Sequence, residues 1–159
     1  MPGCTRAQFA LREYRLTGFG GPVLSTGVSP RPILTGLSLD SNVYHAVSRA
    51  AGVGFLVEGG LYHPALSGTA NYYGSVDAIV AGDGDAKLRP FGVAGYTRLF
   101  NATSSSIGST DAINFGVGVD RVLRDDLWLR VEVRDMYTPV GDAHALAVRV
   151  GLVGRGSVE

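Results

Sequence analysis

The chain has 159 residues, enough for one domain, with 14 basic and 14 acidic side chains and a formal net charge of zero. Zero net charge argues against a nucleic-acid polycation, and 45% apolar residues exclude a disordered chain. The 23 glycines argue against a long helical bundle, because each weakens a helix interior by about 1 kcal/mol.

Cys4 is the sole cysteine, so no internal disulfide forms. No stretch reaches the roughly 18 apolar residues of a spanning helix. The opening MPGCTRAQFALREYRL has no apolar run before a small-residue cleavage site, so no signal peptide is visible. Taken alone, that reads as a cytosolic chain or one with an incomplete N-terminus. Residues 1–15 are expected to form an irregular or short helical segment, and residues 16–155 one β domain.

Alternation with period two dominates from there on. A first strand near Arg15–Leu24 has the weakest pattern. Next, Ile33, Thr35, Leu37 and Leu39 oppose Gly36, Ser38 and Asp40. Val53, Phe55, Val57 and Leu61 oppose Gly54, Glu58 and Gly60, with Leu56 an apolar intruder on the polar side. Tyr72, Val76, Ala78 and Val80 oppose Tyr73, Ser75 and Asp77. Phe91, Val93 and Gly95 oppose Gly92, Ala94 and Tyr96. Ile113, Phe115, Val117 and Val119 oppose Asn114, Gly116, Gly118 and Asp120. Leu127, Leu129, Val131 and Val133 alternate with Trp128, Arg130, Glu132 and Arg134. Finally, Leu146, Val148, Val150 and Leu152 oppose Ala145, Ala147, Arg149 and Gly151.

The links also alternate. Ser48–Ala50, Gly82–Ala86 and Arg124–Asp126 are short. Gly27–Arg31, His63–Gly68 and Asn101–Asp111 are long, and Thr138–Asp142 is intermediate. One rim therefore carries tight turns and the other looser loops, as in transmembrane barrels.

Alternation leaves open which face is inside. In a soluble sandwich the apolar face is the core; in a membrane barrel it meets lipid and the polar face fills the lumen. Three features favour the barrel. Gly54, Gly60, Gly92, Ala94, Gly116, Gly118, Ala145, Ala147 and Gly151 crowd the polar faces, where a narrow interior needs small residues. On the same faces Asp40, Glu58, Asp77, Asp120 and Glu132 meet Arg98, Arg130, Arg134 and Arg149, and arginine suits buried bidentate pairing. Alternating runs of about ten residues match a tilted membrane strand better than an average globular one. The expected fold class is all-β, an antiparallel up-and-down transmembrane β-barrel of about eight strands. Its expected lumen charge network is Asp40, Glu58, Asp77, Asp120, Arg130, Glu132, Arg134 and Arg149. Its expected lipid-facing residues are Ile113, Phe115, Val117, Val119, Leu129, Val131, Val133, Leu146, Val148 and Val150.

The segments LRPFGVAGYTRLF, INFGVGVDRVLRDDLWLRVEVRDMY and HALAVRVGLVGR resemble the outer-membrane β-barrel domain family of small OmpA/OmpX-like proteins. The matching positions are Arg89, Pro90 and Tyr96, then Gly116, Gly118 and Val119, then Leu127, Leu129, Arg130, Glu132 and Arg134, and finally Gly151. The resemblance implies a bacterial outer-membrane protein with a structural or surface-interaction role. Its expected partners are outer-membrane lipid and an extracellular or periplasmic molecule met through the loops. A monomer with no cofactor, no metal and no nucleic acid is expected. Family members carry a signal peptide and many end in an aromatic residue, whereas this chain ends GRGSVE.

Other residues suggest other chemistry. His45, His63 and His144 share no metal-ligand spacing and are expected at surface or rim positions. His45 with Ser48, and His63 with Ser67, are the only pairs suited to a lipid-modifying acyl hydrolase, and neither has an adjacent orienting acid. No catalytic residue is therefore expected. Gly18–Gly21 and Gly82–Asp85 read as turns, and Asp83 with Asp85 offers too few oxygens for calcium. Tyr62, Tyr72, Phe100, Trp128 and Tyr137 are candidates for an interfacial aromatic girdle. A soluble β-barrel binding a small apolar ligand is the second reading, and the acyl hydrolase the third.

Overall fold

The computed structural model describes residues 13–25, 33–48, 51–63, 71–82, 87–102, 107–140 and 142–157. They form eight strands: β1 (Glu13–Ser25), β2 (Ile33–Ser48), β3 (Ala51–His63), β4 (Asn71–Gly82), β5 (Leu88–Ala102), β6 (Ile107–Arg124), β7 (Leu127–Thr138) and β8 (Ala143–Ser157). Each strand pairs antiparallel with the next, and β8 returns to β1 to close a barrel. Closure leaves no unpaired strand edge.

The register climbs around the wall. One outward row runs Leu16, Leu39, Val57, Val76, Tyr96, Ile113, Tyr137 and His144. The neighbouring inward row, from Arg15 through Asp40, Leu56, Asp77, Gly95, Asn114, Met136 and Ala145, meets β1 again at Ser25, ten residues above its start. Such a stagger tilts the strands by roughly 40° and leaves an interior that side chains can fill.

β1 starts at Glu13, ahead of the expected boundary at residue 16. Its pattern is weak in sequence because Gly18, Gly20 and Gly21 occupy both faces. Gly18–Gly21 is accordingly strand rather than turn. A Cβ on Gly21 would stand 1.8 Å from the Val148 carbonyl oxygen, so glycine lets β1 approach β8 here. The expected loop Asn101–Asp111 is mostly strand as well, because Ala102 pairs with Ile107 and Arg98 with Asp111. Its Ser- and Thr-rich composition hides the ladder, which a polar strand continues beyond an apolar belt.

Inward positions are occupied as expected on β2, β3, β4, β6, β7 and β8, and Leu56 is fully buried among the polar residues of β3. β5 is inverted. Arg89, Phe91, Val93 and Thr97 point inward, while Gly92, Ala94, Tyr96 and Arg98 point out. The reason lies across the ladder: Phe91 pairs with Gly118 and Val93 with Gly116. The β6 glycines vacate volume that the β5 side chains fill. Two apolar clusters result inside the barrel. Ile79, Ala81, Phe91 and Val93 form one, and Val23, Leu34, Tyr73, Ala112, Met136 and Ala147 form the other, toward the long-loop end.

Inward Gly95 pairs with Asp77, and a Cβ there would meet Asp77 Oδ1 at 2.2 Å and the Val76 carbonyl oxygen at 2.3 Å. Backbone cannot yield as a side chain can. Gly95→Ala is therefore expected to destabilise the barrel by about 1–3 kcal/mol, measured by urea titration in detergent micelles.

Candidate functional site: the lumen charge array

Among the described residues, five carboxylates and five guanidiniums are buried in the lumen: Asp40, Glu58, Asp77, Asp120 and Glu132 with Arg15, Arg89, Arg130, Arg134 and Arg149. Every strand contributes at least one of them. Their formal charges cancel.

The tier near the short-turn rim centres on Arg130. Its Nε and Nη2 donate to the Asp120 carboxylate at 2.8 and 3.0 Å. Nη2 also donates across the lumen to Asp40 at 2.8 Å. Arg15 Nη1 lies 3.7 Å from Asp120, and Arg89 is the register partner of Asp120. The planar cations also cover aromatic rings, Arg130 over Phe91 at 4.6 Å and Arg15 over Trp128 at 4.7 Å.

The tier above links β3, β4, β7 and β8. Arg134 donates through Nε to Glu132 at 2.7 Å and through Nη1 to Asp77 at 2.9 Å. Arg149 donates to Glu58 at 2.5 Å and to Glu132 at 2.6 Å, and stacks over Phe19 at 4.4 Å. The Tyr73 hydroxyl donates to Glu58 at 2.9 Å. Neutral groups carry the network on to β5 and β6. Asn114 Nδ2 donates to Asp77 at 2.7 Å and to Thr97 at 2.8 Å, and Ser75 donates to Asp77 at 2.8 Å. Arg–carboxylate bonds of this length and number offset the desolvation that a lone buried charge suffers.

All eight residues proposed for the array thus sit together in the lumen. Arg98 does not join them: it faces outward, 3.7 Å from Asp111 and bonded to Ser109 at 3.0 Å. Arg15 and Arg89 take part instead. The signal for Arg89 is its register with Asp120, which sequence alone does not supply.

The ten residues expected to face lipid all point outward, and Val117 is 67% exposed. The aromatic set divides. Tyr72, Phe100 and Tyr137 face outward, whereas Tyr62 and Trp128 face inward, because strand parity overrides nearness to a strand end. His144 is exposed, its Nδ1 2.8 Å from Asp135. The side chains of His45, Ser48, His63 and Ser67 lie outside the described residues, as do Cys4, Asp83 and Asp85. Among the described residues no group of three or more His, Cys, Asp or Glu could hold a metal ion, and no helix is long and apolar enough to cross a membrane.

Arg130→Met leaves Asp40 and Asp120 buried without their shared cation. A loss of about 3–5 kcal/mol is expected in urea titrations of the micellar protein. Adding Asp40→Asn should recover part of it, with a coupling of about 0.5–3 kcal/mol in the double-mutant cycle. Outward Arg98→Met should cost less than about 1 kcal/mol in the same assay.

No family model matches the sequence, and no curated protein sequence matches it either. Solved structures do match. The N-terminal β-barrel domain of Pseudomonas aeruginosa OprF aligns over 91% of this chain and 97% of its own, with TM-score 0.66 and 19% identity. Neisserial surface protein A (NspA) aligns over 91% and 97%, with TM-score 0.65 and 13% identity. Ail, the attachment invasion locus protein of Yersinia pestis, in complex with the heparin analogue sucrose octasulfate, aligns over 92% and 100%, with TM-score 0.63 and 12% identity. The chain therefore has the fold of the small eight-stranded, OmpA/OmpX-like outer-membrane barrels.

Proposed function

We propose that this chain is a bacterial outer-membrane protein that acts through structure and surface contact rather than catalysis. One observation carries the reading: the polarity of a soluble protein is reversed. Among the described residues, twenty-four large apolar side chains are exposed, including Leu16, Leu37, Phe55, Val76, Phe115 and Val117, while ten charges are buried. Soluble monomers rarely expose apolar patches beyond a few hundred Å². Such a belt suits hydrocarbon, where closed strands also satisfy every backbone group.

The lumen is filled by paired charges and capped by the Val23–Leu34–Met136 cluster, so a structural plug is favoured over an ion pathway. Contact with other molecules then falls to the long-loop rim, bounded by the ends of β1, β2, β3, β4, β5 and β6. Ail, of similar fold, holds a heparin analogue. A monomer in lipid with a loop-borne extracellular or periplasmic partner, without cofactor, is the reading we adopt. The exposed belt weighs against the soluble apolar-ligand barrel.

The test is refolding from urea with and without detergent or lipid. Folding only in their presence, with heat-modifiable gel mobility, is expected. A folded, monodisperse monomer in plain buffer would sink the proposal. Val117→Arg, at mid-belt, should cost about 2–4 kcal/mol in bilayers, against about 0–1 kcal/mol for Val140→Arg in the β7–β8 turn.

A further inference from the structure

The outward face changes character at the short-turn rim. Arg121 pairs in register with Leu88 on one side and Leu129 on the other, both outward. Its Cα therefore stands at the short-turn end of the apolar belt, with Leu123 and Leu127 nearer the rim. From that position an arginine can lay its methylene stem over leucine and extend its guanidinium toward the rim, as snorkelling arginines do. A β-bulge between Val122 and Arg124 brings Arg124 opposite Leu127, so it shares the outward face with Arg121. Lys87 stands at the same rim, on the bend before β5 rather than on the outward row: it precedes Leu88, its carbonyl accepts the Val122 amide at 3.0 Å, and its side chain is exposed.

These three cations differ from the outward charges at the other rim. There Arg98 lies against Asp111 and Ser109, and His144 against Asp135. Lys87, Arg121 and Arg124 are exposed and make no ion pair among the described residues. Among the acids whose side chains are described, Asp125 and Asp126 are exposed in the β6–β7 turn, beyond the end of β6.

We propose that Lys87, Arg121 and Arg124 bind the phosphate of an anionic glycerophospholipid in the leaflet on the short-turn side. The inference rests on the membrane reading above and adds the lipid class and its place on the wall. Acyl chains lie against Leu88, Val119 and Leu129, which brings the headgroup phosphate level with the three cations. An anionic leaflet then holds the barrel at a fixed depth, because vertical movement would drag Arg121 into hydrocarbon or strip it from phosphate.

The experiment compares unfolding in vesicles of phosphatidylcholine alone and of phosphatidylcholine with phosphatidylglycerol. The anionic vesicles should shift the equilibrium roughly ten- to hundred-fold toward the folded barrel, and added salt should shrink the shift. The triple variant Lys87→Gln, Arg121→Gln, Arg124→Gln should lose it, and Arg98→Gln should keep it. If the triple variant does not fold, the single variants Arg121→Gln and Arg124→Gln should each lose part of the shift. Folding in both vesicles with equal stability would overturn the inference and leave the membrane reading standing. A shift that persists in the variants, or that inorganic phosphate reproduces in phosphatidylcholine alone, would also overturn it. Failure to fold in either vesicle would instead overturn the membrane reading.

Discussion

A guanidinium moved out of water without a counter-charge costs several kcal/mol, a large part of the folding free energy of a domain of this size. Among the described residues, five of them line this lumen, and five carboxylates must arrive at matching heights. Strand register is what delivers them. Arg130 on β7 reaches both its neighbour's Asp120 and Asp40 on β2. Arg134 reaches Asp77 on β4, and Arg149 reaches Glu58 on β3. A slip of one residue on any strand would turn its charge outward and orphan a partner. The array thus fixes the pairing of strands that are not adjacent, which backbone hydrogen bonds alone do not do.

The same constraint sets where bulk and emptiness fall. Long arginines need stacking surfaces and clearance. Phe91, Trp128 and Phe19 supply the surfaces, and Gly116 and Gly118 supply clearance beside Glu132 and Phe91. With the interior committed to polar bonding, the aliphatic residues have only the outer wall left. The belt and the array are two sides of one arrangement rather than separate adaptations.

Strands whose two faces differ in chemistry were legible from the chain alone. On β7, leucine and valine alternate with Trp128, Arg130, Glu132 and Arg134, and parity settles every residue. β4 and β8 are similar. β5 was not legible, because Phe91 and Val93 share a face with Arg89 while Tyr96 shares one with Arg98. Its orientation is decided by glycines on β6, a relation between strands that no single segment carries. β1 was obscured by its glycines, and its Arg15 was missed with it. The polar stretch after Phe100 gave no apolar rhythm to follow, although it forms ladder. The array was legible where charge and parity coincide, and not where an arginine's place depends on its neighbour across the sheet.

The wall closes where β1 meets β8, so its final seam joins the two most distant segments of the fold. No local hairpin can form that seam early; it has to wait until the intervening strands have brought the ends together. Loop-closure entropy is thus greatest at the last step, and topologies dominated by such remote contacts assemble slowly. Until then the partly curled sheet presents two open edges, each a template for a strand from elsewhere. A folding helper that occupies either edge would guard the molecule during the interval when it is most vulnerable to mispairing.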